Sequence, residues 1–468
     1  MLTFPMEKLT SLGMKSLLFY TAVLGLLLFI GILLRVKVPF FKKYFIPASL
    51  IAGLTGLGLG QYGLKFLPAD MMTSFATLPG VLITVVFAPM LMGVSFPKPK
   101  EVAKIIGPQM VYGYAGDFIQ IAVPFLVTAL ILAPIWKVDS MFGSIVEIGF
   151  AGGHGTAGGM ADLFTQNGWA AGGPLSLTTA TIGLFIGIIG GMIIINYGVR
   201  KGYTSIIKSQ DELSSNNKQD IIPKDAQNAG SVITINKDVV EPMAFHLSLI
   251  AIAILIGWVI VNSLNSVTGL SFPLFPMAMI GGLIVQLIIS KTKFADAVDA
   301  GSLQRIQGLA LELLIVAAIA TIKIPVIIEY AMPLLIIVLF SIATMLFYVF
   351  YMGPRVFKTQ WFEHSIVNFG TLTGVTAVGL MLLRTVDPEM KSDAGRAFAL
   401  RAPFYSPFVG GGLLTALLPL LAIKYGALII GLVFLAATVA VIILAKFLGF
   451  WNKPVRNTVN TKKSVNSN

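Results

Sequence analysis

The sequence predicts an all-α polytopic membrane protein, an inverted-topology repeat with about 11 transmembrane helices and two re-entrant hairpins. Three observations lead there. The 468 residues are 56% hydrophobic and only 12% charged, with a mean hydropathy of +0.86, whereas a soluble domain carries roughly 25% charge. The apolar stretches are continuous and near the roughly 18–20 residues that a helix needs to cross hydrocarbon; they do not alternate as barrel strands do. Finally, two glycine-interrupted segments repeat each other, SIVEIGFAGGHGTAGGM at 144–160 and SIVNFGTLTGVTAVGLM at 365–381. They agree at Ser144/Ser365, Ile145/Ile366, Val146/Val367, Gly149/Gly370, Gly153/Gly374, Gly158/Gly379 and Met160/Met381.

The predicted spans run 17–35, 45–66, 77–95, 107–133 and 174–199, then 243–263, 272–290, 306–322, 331–352, 403–422 and 426–449. The first apolar run ends in Arg35 and Lys37 without a small-residue cleavage pattern, and it is long for a signal peptide, so it is read as a retained helix. Residues 201–241 are polar, of mixed charge and poor in aromatics, the composition of a linker that does not pack. The tail after Trp451 is polar too, with Lys453, Arg456, Lys462 and Lys463. The expected organisation is therefore an N-terminal repeat (1–200), a cytoplasmic linker (201–241), a C-terminal inverted repeat (242–450) and a polar tail (451–468). A shorter likeness, Pro47, Ile51, Gly53 and Leu54 against Pro276, Ile280, Gly282 and Leu283, supports the duplication. Span 426–449 has no counterpart in the first half.

Basic residues set the orientation, because cytoplasmic loops concentrate Lys and Arg. Loop 35–44 holds Arg35, Lys37, Lys42 and Lys43, and loop 96–106 holds Lys98, Lys100 and Lys104, with Lys65 alone between them. The N-terminus then lies outside. If 141–165 enters and leaves on the outer side, and 362–383 enters and leaves on the inner side, all the basic loops fall in the cytoplasm. These include Arg200–Lys201, Lys291–Arg305, Arg355–Lys358 and Arg384–Arg401. Treating either segment as a full crossing puts later basic loops outside. The halves are thus expected to be inverted, with the linker and C-terminus cytoplasmic. The net charge of +12 belongs to these loops and is no nucleic-acid signal. The absence of cysteine removes disulfides, thiolate catalysis and cysteine metal sites.

Glycines free backbone N–H and C=O groups, which is tolerable at membrane depth only where protein or a water-filled cavity satisfies them. Opposed helix ends there offer amides to carboxylates and carbonyls to sodium, and paired interrupted segments mark a transporter's binding site. The candidate substrate residues are Gly152, Gly153, His154, Gly155 and Thr156 in hairpin one, and Thr371, Thr373, Gly374 and Thr376 in hairpin two, with Na+ at the tips. Close helix packing through small residues is the competing reading. Asp117 and Gln120 within span 107–133, Glu312 within span 306–322, and Asn368 are ion or coupling candidates, since an acid within a span is costly. Glu147, aligned with Asn368, is expected in solvent at the hairpin mouth, and Arg384 as a cytoplasmic anchor. No Walker A loop, HExxH or nucleophile elbow is present.

The run Gly149–Gly159, GFAGGHGTAGG, and above all GGHGT at Gly152–Thr156, resembles the signature hairpin of the bacterial sodium/glutamate symporter (ESS) family. The resemblance covers most of the chain. It implies a secondary transporter of the bacterial inner membrane that takes up glutamate with Na+ by alternating access, needs no other cofactor, is a homodimer, and lines its path with the two hairpins. The second hairpin, NFGTLTGVTAVG, follows the family pattern loosely, which marks a divergent member. A symporter of another organic anion and a channel built on paired re-entrant loops are the alternatives. An intramembrane enzyme using His154 with Asp117 or Asp162 lacks a second convergent acid motif.

Overall fold

The fold is described from a computed structural model, which covers residues 11–43, 46–93, 99–207, 238–268, 272–388 and 390–454, with 222, 224, 227 and 229–236. The chain runs through α1 (Ser11–Lys37), α2 (Ala48–Leu59), α3 (Ala69–Phe87) and α4 (Pro99–Val127). Three short helices follow, α5 (Ser144–Gly149), α6 (Gly153–Gly159) and α7 (Ala161–Gln166), then α8 (Gly172–Phe185) and α9 (Gly191–Arg200). The second half contains α10 (Pro242–Thr268), α11 (Leu274–Ile289), α12 (Ala300–Ala320), α13 (Ala331–Phe347), α14 (Trp361–Val386), α15 (Asp393–Tyr405), α16 (Leu413–Tyr425) and α17 (Ala427–Phe447). No strand occurs among the described residues. By length and composition alone, nine helices among them could cross a membrane, with α14 counted as one continuous helix. Residues 208–221 of the linker, a few single positions up to 237, and the tail beyond 454 lie outside the described residues.

Three predicted spans are shorter than expected. Span 45–66 is the 12-residue helix α2, and a helix of that length reaches only about 18 Å at 1.5 Å per residue, against hydrocarbon about 30 Å thick. Span 272–290 is the 16-residue α11. Span 403–422 is cut in two between α15 and α16 by Pro407 and by Gly410 and Gly411, at φ +66° and +99°. Hydropathy averages over such a break and does not see it.

The chain folds as two compact units, each drawing on both sequence halves. The first comprises Met1–Ser95, His154–Leu177 and Asp220–Ile328. Leu24, Leu27, Ala52, Phe75, Val316, Ala317 and Ala320 form one core cluster there, and Ala88, Leu249, Ile250, Ala253, Ala278 and Leu303 another. Gly53 of α2 rests on Ile319 of α12, while Gly282 of α11 rests on Ala88, just past α3. The two glycines are aligned in sequence, and each seats its helix against the opposite half. That exchange is what a folded duplication produces.

The second unit comprises Phe96–Gly153, Thr178–Gln219 and Glu329–Asn468. The duplication shows here as matched irregularities. α4 passes into a π turn, Thr128–Leu132, and then the short helix Ala133–Trp136; α13 passes into a π turn, Tyr348–Met352, and then Gly353–Val356. π turns are rare and concentrate at functional sites. The two helices are tied where the Tyr112 and Tyr348 rings stack at 4.1 Å and the Tyr348 hydroxyl donates to the Tyr112 carbonyl at 2.9 Å. α17, the unmatched helix, packs on α4 where Gly431 meets Leu126.

Candidate functional site

α14 is two helices. Its dihedral angles leave the helical region at Gly374 (φ −142°, ψ 34°) and Val375 (φ 65°, ψ 170°). Nine residues of unbroken helix rise about 13 Å, yet a Cβ placed on Gly370 falls 2.7 Å from the Cα of Gly379. The chain therefore turns back at the break, and arm 361–373 lies against arm 376–386. The missing side chains of Gly370 and Gly379 are what let the arms meet. A β-branched residue at positive φ with ψ near 170° occupies territory otherwise left to glycine. Val375 thus marks a strained tip.

The first glycine segment also reverses. The Thr179 hydroxyl on α8 donates to the Ile145 carbonyl at 2.8 Å, and further along both helices Gly183 meets Phe150. α5 and α8 accordingly run in the same direction, and residues 151–171 carry the chain back. α5 closes with the Gly152 amide on the Glu147 carbonyl at 3.0 Å. Gly153 follows at φ +69°, the position aligned with Gly374 at the other break. A Cβ on Gly153 would strike the Val375 side chain, so the tips touch. Past Gly153 the chain enters the first unit. There Gly155 sits on Ile83 (3.0 Å from a built Cβ), Gly158 on Pro79 and Gly159 on Ile83. These three glycines pack against α3, as close helix packing requires.

Around the second tip the second unit holds a buried polar group. Gln120 donates its side-chain amide to the Leu372 carbonyl at 2.8 Å, capping the first arm. Asp117, one turn before it on α4, is wholly buried, and neither carboxylate oxygen has a hydrogen-bond partner. Glu147 is buried as well, not solvated at a mouth. One of its oxygens accepts from the Gly410 amide at 3.2 Å and the Thr415 hydroxyl at 3.1 Å, which bridges α5 to the α15–α16 break. Arg401 is buried, donates to the Gln109 carbonyl at 3.0 Å, and lies within electrostatic reach of Asp117.

The second unit thus gathers Gly152, Gly153, Thr371, Thr373, Gly374, Thr376, Asp117, Gln120 and Asn368. The Thr371 and Thr373 hydroxyls donate back to Val367 and Phe369 at 2.8 and 2.7 Å, and Thr376 is exposed. Asn368 is buried and donates to the His364 carbonyl at 2.7 Å. His154, Gly155 and Thr156 belong to the first unit, His154 and Thr156 buried, with the Thr156 hydroxyl unpartnered. Glu312 is an exposed residue of α12 in that unit, as is Asp162 of α7. Sequence reasoning missed the burial of Glu147 and its partner Thr415. The one signal was an acid in an apolar run with no base nearby.

Matched half-repeats, paired reversals and buried carboxylates in a polytopic helical protein define a secondary transporter. The family model described as sodium/glutamate symporter matches residues 16–361. The chain belongs to that family, and its activity is sodium-coupled symport of glutamate or a related small carboxylate. Among solved structures it is similar to the sodium proton antiporter MjNhaP1 of Methanocaldococcus jannaschii, at 16% identity, over 89% of this chain and 99% of that one, with a TM-score of 0.39. No curated protein matches it in sequence.

Proposed function

We propose that the hairpin tips bind glutamate, through Gly152, Gly153, Thr371, Thr373, Gly374 and Thr376, all in the second unit. The observation that carries this reading is Val375, held in a glycine-like conformation at a reversal aligned with Gly153. Strain of this kind costs about 1–3 kcal/mol and persists where the surroundings enforce it, which is characteristic of binding sites. The second arm begins at Thr376 and Ala377, both exposed. The first amides of a helix have no partner within it and its start carries a positive dipole end, which suits a carboxylate. The Thr371 and Thr373 hydroxyls, whose protons are engaged, present lone pairs to a cationic group.

Transport then proceeds by alternating access with no chemical step. The basic loops support a bacterial inner-membrane orientation with the N-terminus outside and the linker and C-terminus cytoplasmic, and the family resemblance supports a homodimer. Proteoliposomes containing the purified full chain are expected to accumulate labelled glutamate when a sodium gradient is imposed. Uptake indifferent to sodium, proton and potassium gradients would overturn ion coupling. The natural absence of cysteine makes topology directly measurable. Single cysteines at 150–157 are expected to label from outside and at 371–377 from inside, and labelling of both sets from one face would refute the inverted arrangement.

A further inference from the structure

We propose that Asp117, Gln120 and Glu147 together hold one coupling sodium ion, a site distinct from the glycine tips; this rests on the sodium-symport reading above. Four buried oxygens here lack any hydrogen-bond partner: both of Asp117, Oε2 of Glu147 and Oε1 of Gln120. All four are acceptors. Three donors at these side chains are committed elsewhere. The Gln120 amide nitrogen is held by the Leu372 carbonyl at 2.8 Å, which leaves its oxygen as the free end. The Gly410 amide and Thr415 hydroxyl are both on Glu147 Oε1. Buried polar atoms are almost always paired, and an unpaired buried carboxylate is among the costliest groups a protein can hold. A set of orphan oxygens with no donor among them is the ligand chemistry of a hard cation.

The charge balance sets the stoichiometry. Asp117 lies within electrostatic reach of both Glu147 and Arg401. Arg401 does not occupy the site. Its guanidinium donates to the Gln109 carbonyl and lies over the Phe398 and Tyr405 rings at 4.6 and 4.1 Å. Two carboxylates and one guanidinium leave a single negative charge, which one monovalent cation cancels. The placement also supplies the coupling. Gln120 is bonded to the last turn before the Gly374–Val375 break, and Glu147 joins the first arm of hairpin one to the α15–α16 break. Sodium drawing these oxygens together fixes both tips in one geometry, and its departure releases them.

The test is sodium activation of glutamate uptake in proteoliposomes, for the wild type, Asp117→Asn and Gln120→Leu. The variants are expected to raise the half-activating sodium concentration about tenfold or more and to lower the Hill coefficient for sodium by one. In detergent, sodium chloride in place of choline chloride is expected to raise the Tm of the wild type but not of Asp117→Asn. If Asp117→Asn does not fold, Gln120→Leu carries the same test and is expected to lose the sodium-induced rise in Tm. Sodium activation unchanged in these variants, or a sodium-induced rise in Tm retained by Asp117→Asn, would overturn the site while leaving symport intact. Wild-type uptake that ignores sodium would overturn the parent reading instead.

Discussion

The two hairpins solve one problem with different residues. Both must reverse the chain. Hairpin one places glycine at its left-handed tip position, Gly153 at φ +69°, where the backbone costs nothing extra. Hairpin two places its positive φ one residue later, on Val375, and accepts strain. Their arms differ too. Those of hairpin two close on each other through Gly370 and Gly379. In hairpin one the glycines after the tip are spent on α3, at Pro79 and Ile83. Similarity in sequence therefore records a shared reversal, and the differences record what each tip packs against. Hairpin one has the more constrained backbone, and hairpin two the one with stored strain.

The largest expected effect tests the shared tip. Gly153→Ala adds a left-handed penalty and a collision with Val375, together about 3 kcal/mol, and glutamate uptake is expected to fall at least tenfold. The aligned Gly374→Ala meets Val378, 3.0 Å from the built Cβ, and the Leu184 Cα at an ordinary 3.4 Å, at a negative φ. It should cost no more than about half as much, and equal losses would break the distinction. Next comes the aligned pair Glu147 and Asn368. Glu147→Ala strands the Gly410 amide and Thr415 hydroxyl and should destabilise the protein by about 3 kcal/mol, whereas Asn368→Ala removes a bond within its own helix and should cost about 1 kcal/mol. Thermal unfolding in detergent measures both. Gly370→Ala would push the arms of hairpin two apart at a cost of about 2 kcal/mol, read as a fall in Tm. The smallest effect has the opposite sign: Val375→Gly should raise stability by about 1 kcal/mol as the tip relaxes. A lower Tm would mean that the valine is held by packing and is not strained.

Much of the architecture is legible in residue order. Apolar runs mark α1, α3, α4, α10, α12, α13 and α17, because membrane crossing demands sustained hydropathy. The glycine alignment locates both reversals to within a residue, since a tip at positive φ needs a residue tolerant of it. What was not legible follows from the same physics. Hydropathy does not separate a 12-residue helix from a span when apolar residues continue past its end, as Leu64, Phe66 and Leu67 do. Glycine by itself does not say whether it serves a site or a contact. Gly153 makes a left-handed turn against Val375, while Gly155, Gly158 and Gly159 pack on α3, and only the folded neighbours tell the two uses apart.

By itself the sequence determined the membrane class, the duplication, the symporter family and the two tip positions, all of which depend on local composition and spacing. Only the tertiary structure decided that Glu147 is buried, that Asp117 is left without a partner, and that Gln120 caps the broken arm. The last of these joins residues 252 apart in the chain, and the Glu147–Gly410 bond joins residues 263 apart. Whether a carboxylate meets water, a donor or a cation is set by neighbours that folding brings from the other half of the chain, and no window along the sequence contains them.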